Sequence, residues 1–278
     1  MMLFNLSNMS EITKDAIFAE HRKTPKRKCF GQQTGIQEKQ KTDDVFSTCI
    51  PSARKIFEAE TGLELYKSEY DSYWRFIQND EQRDRIKNWE GKRGRLVFLR
   101  DCLPLSIALN FNFVGEAGNY TDIGQWEANA KTQQDKVAMM ELAKETAQVI
   151  QSLPFYKEAD YICAVPAMPS KTFDLPRSVV SQVSCQIGKP DITSAFHFNR
   201  DKASVKDAKI AEKWDIWENA DLSFQKSING KTVILIDDKY QAGVTLQYSA
   251  MKLQQAGARE VYGLCFVKTW GDQDNRGR

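Results

Sequence analysis

The run Val233 to Ile236 is wholly apolar and stops at two carboxylates, Asp237 and Asp238. It is too short for an amphipathic helix and lacks the alternation of a half-exposed strand. It therefore reads as a strand buried on both faces, the kind found in parallel sheets. Parallel sheets need helical crossovers, and the continuation supplies one. After a turn containing Gly243, the residues Leu246, Ala250, Leu253 and Gly257 recur at three- and four-residue spacings and share one helix face. This pattern sets Asp237 and Asp238 at the carboxyl end of a strand, where open α/β sheets bind ligands. Turn amides and the start of the following helix make an anion site beside them.

Strand, Asp237-Asp238, a turn with Gly243 and Thr245, then a helix: this order resembles the phosphoribosyl-pyrophosphate (PRPP) motif of type I phosphoribosyltransferases, and within that superfamily the ComF-like branch. The resemblance implies an α/β, parallel-sheet phosphoribosyltransferase-like domain. It implies that Asp237 and Asp238 hold the ribose hydroxyls and draw Mg²⁺ to the sugar, and that Gln241, Ala242, Gly243, Val244 and Thr245 cradle the 5′-phosphate. Three positions depart from the family pattern. Gln241 stands where relatives carry a small hydroxyl residue or an acid, Ala242 where they carry a hydroxyl, and Lys239 where they are apolar. Gln241 cannot serve as the general base that an aspartate supplies in purine-using relatives.

A second strand–loop–helix unit precedes it. Tyr161 to Val165 reads as another buried strand, and the loop that follows to Asp174 is constrained by Pro166 and Pro169. Pro176 to Ile187 then reads as a helix started by its proline. Val165 to Pro169 resembles the loop that faces pyrophosphate in ComF-like domains, and Lys171 or Arg177 supplies positive charge there. The family's Arg-Gly-Phe-Asn-Gln segment is absent, with Asp174 to Ser178 near its place. Farther on, residues 199–221 are rich in charge. The resemblance places a mobile loop here, closing over PRPP, with Lys206 and Lys209 as catalytic cations for the pyrophosphate. The residues alone suit equally well an amphipathic helix with Trp214 and Trp217 inward.

The 278 residues are enough for one large domain or two smaller ones, divided here as 1–94, a basic leader and mainly helical region, and 95–278, the phosphoribosyltransferase-like domain. Hydrophobic residues at 41% against 27% charged favour a folded soluble protein over a disordered one. No apolar run is long enough to cross a bilayer, which argues against a membrane partner. The first residues lack a basic segment followed by an apolar core, so a cytoplasmic location is expected. None of the six cysteines forms a Cys-x-x-Cys pair, which argues against the zinc ribbon of many ComF-like proteins.

Between His21 and Lys41 lie seven lysines and arginines against Glu38 alone. This is either a basic arm for nucleic-acid phosphates or a solvated loop. Ser52 is expected to cap a helix. Leu65, Tyr66, Tyr70, Tyr73, Trp74 and Ile77 have helical spacing and read as a core stripe. Gly94 to Arg100 reads as an edge strand, Pro104 as a helix start, and Gly115 to Gly124 as a hood loop beside the acceptor candidates Tyr120 and Trp126. Thr132 to Leu153 reads as one amphipathic helix with Val137 and Met140 on its apolar face, Asp191 to Phe198 as a short strand, and Glu260 to Val267 as the last strand.

Two functions fit this sequence. One is a phosphoribosyltransferase that binds Mg²⁺-PRPP, or a related ribose phosphate, and passes the phosphoribosyl group to a base or nucleotide. The other is a binding subunit of the same fold that senses nucleotides or supports a nucleic-acid-processing system such as DNA uptake or defence. Acceptor and oligomeric state are open.

Overall fold

The computed structural model describes residues 9–21, 29–30, 44–115, 118–201, 203, 205 and 208–270. Helix α1 (Met9–His21) and the two-residue strand β1 (Cys29–Phe30) come first. A small unit follows: β2 (Val45–Thr48), α2 (Pro51–Thr61), β3 (Tyr66–Lys67), β4 (Tyr73–Phe76) and α3 (Asp80–Arg93). The chain then enters the main sheet through β5 (Val97–Leu99) and β6 (Leu105–Phe111), and makes a small hairpin, β7 (Phe113–Val114) and β8 (Asn119–Tyr120). Helices α4 (Asp122–Gln133) and α5 (Lys136–Ser152) lead to β9 (Tyr161–Ala164) and α6 (Leu175–Ile187). Strand β10 (Phe196–Phe198), α7 (Ile210–Asn219) and β11 (Leu222–Phe224) form an excursion before β12 (Thr232–Tyr240), α8 (Val244–Gln255) and β13 (Glu260–Lys268).

The main sheet has six strands in the order β1-β5-β6-β13-β12-β9. The four strands from β6 to β9 in that order run parallel, and β5 and β1 extend the edge with antiparallel pairing. The fold is mixed α/β with a sheet dominated by parallel strands. Side chains of β12 divide between two cores in the strand's period of two. Ile234 and Ile236 join α2, α4, α5 and α6 on one face, while Val233 and Leu235 join α7 and α8 on the other. Helix α1 also packs on α8.

Strand β12 runs past its apolar stretch to Tyr240, so the acid pair lies within the strand rather than beyond it. Pairing with β13 on one side carries the ladder through Asp237, opposite Cys265, to Tyr240, opposite Lys268. Helices α6 and α8 and the strands β9 and β13 fall where the sequence places them.

Several elements differ from the sequence reading, each for a physical reason. Leu65 to Ile77 is not a helix. Strands β3 and β4 join β2 in an antiparallel sheet, with Tyr66 registered opposite Trp74. Leu65 and Tyr73 are buried in the core and Ile77 packs against it, but Tyr66 and Tyr70 are 63% and 75% exposed, so only part of the stripe is core. The aromatic preference for a pleated surface outweighs the three- and four-residue spacing. Pro104 introduces a strand, not a helix: β6 lies between β5 and β13 and all its residues are buried. The long helix expected from Thr132 begins at Lys136, because Gln134 turns left-handed and the Asp135 carboxylate caps the amides of Val137 and Ala138. Val137 and Met140 are exposed, and the buried face runs through Ala138, Leu142 and Ala143. Ser52 lies inside α2, and its hydroxyl donates to Leu99 O and accepts from Ser106 N. Asp191 to Phe198 holds a short 3₁₀ turn and then β10, which pairs with β11. The charged stretch after Asn199 contains α7, with Trp214 and Trp217 fully buried.

Residues 44–93 do not stand apart from the sheet. A single apolar cluster includes Phe46, Phe57 and Trp89 together with Ile107, Leu264 and Phe266. The basic stretch between His21 and Lys41 falls outside the described residues except for Cys29 and Phe30.

Candidate functional site

Strands β9 and β12 end side by side. Ile236 pairs with Ala164, and Val165 N donates to Ile236 O at 2.8 Å, so the loop after β9 leaves the sheet level with Asp237. Consecutive strand residues face opposite ways. Asp237 therefore shares the α8 face with Leu235, and Asp238 shares the α4 and α6 face with Ile236.

Asp237 is 9% exposed, and its Oδ1 accepts the amide of Asp238 at 2.8 Å. Burial first, and the Asp238 charge second, push its carboxyl up to about 8. Asp238 meets a cation directly: Lys131 Nζ lies 2.6 Å from its Oδ2. Burial alone lowers the Lys131 ammonium, but Asp238, followed by Glu127 and Asp237, overcomes this and leaves it raised. One turn back on α4, Glu127 is 1% exposed. Its Oε1 stands 3.6 Å from Lys131 Nζ and its Oε2 3.1 Å from Lys239 Nζ. The carboxyl edge of β12 thus carries a chain of alternating charge, Asp238, Lys131, Glu127, Lys239.

Helix α4 reaches this edge because of Gly124. A Cβ there would stand 2.0 Å from Asn112 O, so the helix lies directly on the backbone that follows β6. Thr121 fixes the helix start, accepting from Gly124 N and donating to Phe111 O. Gly124, Glu127 and Lys131 lie three and four residues apart, on one face of α4.

The β9 loop brings its own groups. Asp174 caps α6 by accepting Arg177 N at 3.3 Å. Burial raises its carboxyl, Arg177 and Lys171 oppose that, and Asp238 adds to it. Lys171 and Arg177, both exposed, therefore border the acid pair through Asp174.

The turn after β12 is tightly built. Gly243 is left-handed, with φ 70°, and a Cβ on it would stand 2.4 Å from the Tyr240 hydroxyl oxygen and 2.9 Å from Gln247 Nε2. Gln247 pins the turn, its Nε2 donating to Gly243 O and its Oε1 accepting Cys102 N. Ala242 and Val244 are buried; Gln241 and Thr245 are half-buried. Thr245 Oγ1 accepts Trp217 Nε1 at 3.3 Å, which orients the hydroxyl as a donor.

Of the cations expected from the charged stretch, Lys209 is described. Lys206 lies outside the described residues. Lys209 is exposed at the start of α7, its backbone amide donating to Glu212 Oε2. Helix α7 packs on α8, across the sheet from Asp238. Lys131 and Glu127 take the place beside the acid, and sequence reasoning missed both. Their signal was the Glu-Lys pair at i,i+4 behind Thr121 and Gly124, hidden by reading residues 115–124 as a loop. Tyr120 is exposed in β8, and Trp126 packs partly buried against the core.

The expectation of Mg²⁺ meets a donor set that does not suit it. Among the described residues, no three His, Cys, Asp or Glu side chains cluster so as to hold a metal. Asp238 already faces an ammonium, and Asp237 turns onto a backbone amide. A cavity of about 400 Å³ lies elsewhere, between α2 and α3, lined by Glu60, Thr61, Arg85, Asn88, Trp89 and Lys92. Among the described residues, no helix is long and apolar enough to cross a membrane.

No family model matches the sequence, and no curated protein matches it. Among solved structures, the UMP synthase of Leishmania donovani is similar over 57% of this chain and 28% of its own, at 20% identity and a TM-score of 0.32. The chain spans less than a third of that protein's length.

Proposed function

We propose that the carboxyl edge of β9 and β12 binds a ribose phosphate of the PRPP class. The observation that carries this reading is the half-buried Asp238 carboxylate, held by Lys131 at 2.6 Å and bordered by the Asp174 loop with its exposed Lys171 and Arg177. An ionised carboxylate accepts from vicinal hydroxyls, and the amides from Gln241 to Thr245 at the start of α8 suit a phosphate. Lys171 and Arg177 suit a second anionic group, as a pyrophosphate would present. Together these groups orient the sugar and neutralise the leaving group, the two tasks phosphoribosyl transfer sets a protein.

The buried turn favours binding over rapid turnover. Gly243 is covered by Tyr240, Gln241 is not a base, and neither histidine stands in this loop. A catalytically weak subunit that reads a nucleotide or ribose phosphate is therefore the second reading. Calorimetry with PRPP tests the site: Asp238→Asn weakens binding by about tenfold to a hundredfold, the worth of one or two charge-assisted hydrogen bonds. Unchanged affinity rejects this placement. Release of pyrophosphate in an acceptor screen separates transfer from binding alone.

A further inference from the structure

We infer that Lys131 is the built-in counter-cation of the acid pair, so that a ribose phosphate binds here without a divalent metal. The inference rests on the ribose-phosphate reading and deepens it.

The first ground is position. Lys131 Nζ lies 2.6 Å from Asp238 Oδ2, and Mg²⁺ on that carboxylate would sit about 2.1 Å from an oxygen. The two cations would then compete for one small volume, with like charges repelling across it.

The second ground is that Lys131 is held. Its helix is pressed onto Asn112 by Gly124, where even a methyl group would clash. Glu127, 1% exposed, lies one turn away and anchors both Lys131 and Lys239. The backbone of Lys131 is thus placed by helix packing, and its ammonium, on a side chain 39% exposed, is drawn to Asp238 and to the buried Glu127.

The third ground is the charge balance. Asp238 and Glu127 bring two negative charges, and Lys131 and Lys239 bring two positive ones. The chain is neutral before any metal arrives. A divalent ion arriving alone on this neutral chain would leave an excess of positive charge beside Lys131. For Asp238, the consequence is that Oδ2 faces Lys131 while the remaining lone pairs accept from sugar hydroxyls.

The test uses the full chain and ribose 5-phosphate, which has no pyrophosphate to bring Mg²⁺ with it. Affinity is measured by calorimetry in excess EDTA and again in excess Mg²⁺. The wild type binds within about threefold in both buffers. Lys131→Met loses about tenfold or more in EDTA and recovers with Mg²⁺, while Lys131→Arg, which keeps the charge, stays indifferent to Mg²⁺ whatever its affinity. A second arm needs no sugar: by electron paramagnetic resonance the wild type leaves Mn²⁺ free, and Lys131→Met takes it up.

Binding of ribose 5-phosphate by the wild type only with Mg²⁺ overturns the inference and leaves the site in place. So does indifference of Lys131→Met to EDTA. Absence of binding in both buffers overturns the ribose-phosphate reading instead. The Mn²⁺ arm then decides the cation claim alone, and uptake by the wild type at this edge sinks it.

Discussion

At Gly243 the backbone is left-handed and the space above Cα is filled by Tyr240, so Gly243→Ala carries a conformational cost and a steric one. The left-handed contribution is about 1–2 kcal/mol and the contact adds to it, so a loss of about 2 kcal/mol or more is expected in a denaturant midpoint at unchanged slope. A variant as stable as wild type would mean that the turn opens freely. Asp237 makes a different prediction. It is faced by Asp238, Lys131, Asp174 and Cys265, and burial followed by the Asp238 charge pushes its carboxyl up to about 8 in the folded protein, against about 4 unfolded. The native protein thus holds a proton that the unfolded chain has released. Stability falls as pH rises from about 4 to about 8, by up to about 1.4 kcal/mol per unit from this group. Asp237→Asn removes that component, and urea melts across the range read the flatter slope. The pair was legible from the sequence because a short, wholly apolar run that stops at two acids marks a buried strand reaching polar surroundings. Their unequal fates were not legible. Burial of Asp237 and pairing of Asp238 are set by α4 and β13, which lie elsewhere in the chain.

At the scale of elements, α4 decides what the edge of β12 presents. Gly124→Ala gains about 1 kcal/mol of helix propensity but drives a methyl group into a backbone oxygen that no rotamer change can move. The overpacking cost of about 1–3 kcal/mol wins, so the variant melts lower, and with α4 displaced Asp238 is less tightly paired. Its ribose-phosphate affinity falls along with its stability; a variant with normal stability and affinity would show that Gly124 does not set the position of α4. The sequence marked α6 and α8 well, since each has a sustained apolar face and an identifiable start, whereas for α5 the expected start at Thr132 is early and the expected apolar face includes the exposed Val137 and Met140. Helix α4 escaped because its anchoring glycine reads as loop punctuation, although Thr121 is an ordinary N-cap. Strands β3 and β4 escaped because their aromatics happen to fall three and four apart. Pro104 misled because a proline just before a buried strand looks, locally, like the first turn of a helix.

For the whole molecule, the sheet's two cores explain why the N-terminal part cannot be set aside. Phe46, Phe57 and Trp89 pack with the main sheet on one face, and α1 lies on α8 on the other. A fragment starting at residue 95 would expose Phe98, Ile107 and Leu105 and lose the β1 edge. Exposed apolar area of that extent promotes association, so the fragment is expected to melt without a cooperative transition. A sharp melt at the full chain's temperature would show that the halves fold independently. Three of the four parallel strands, β9, β12 and β13, were readable from sequence, because buried strands alternate with amphipathic helices; β6 and the strand order were not. The way residues 44–93 close one side was not, since it depends on contacts between distant apolar surfaces. What the whole fold serves, on this reading, is one grip: a ribose phosphate held at the carboxyl edge of β12 between Asp238, Lys131 and the turn from Gln241 to Thr245. A crystal structure of the full chain with ribose 5-phosphate in metal-free buffer would decide it. Sugar density is expected against Asp238 and phosphate density over the turn, whereas ligand seated in the cavity between α2 and α3, or a bare β12 edge at saturating ligand, would contradict it.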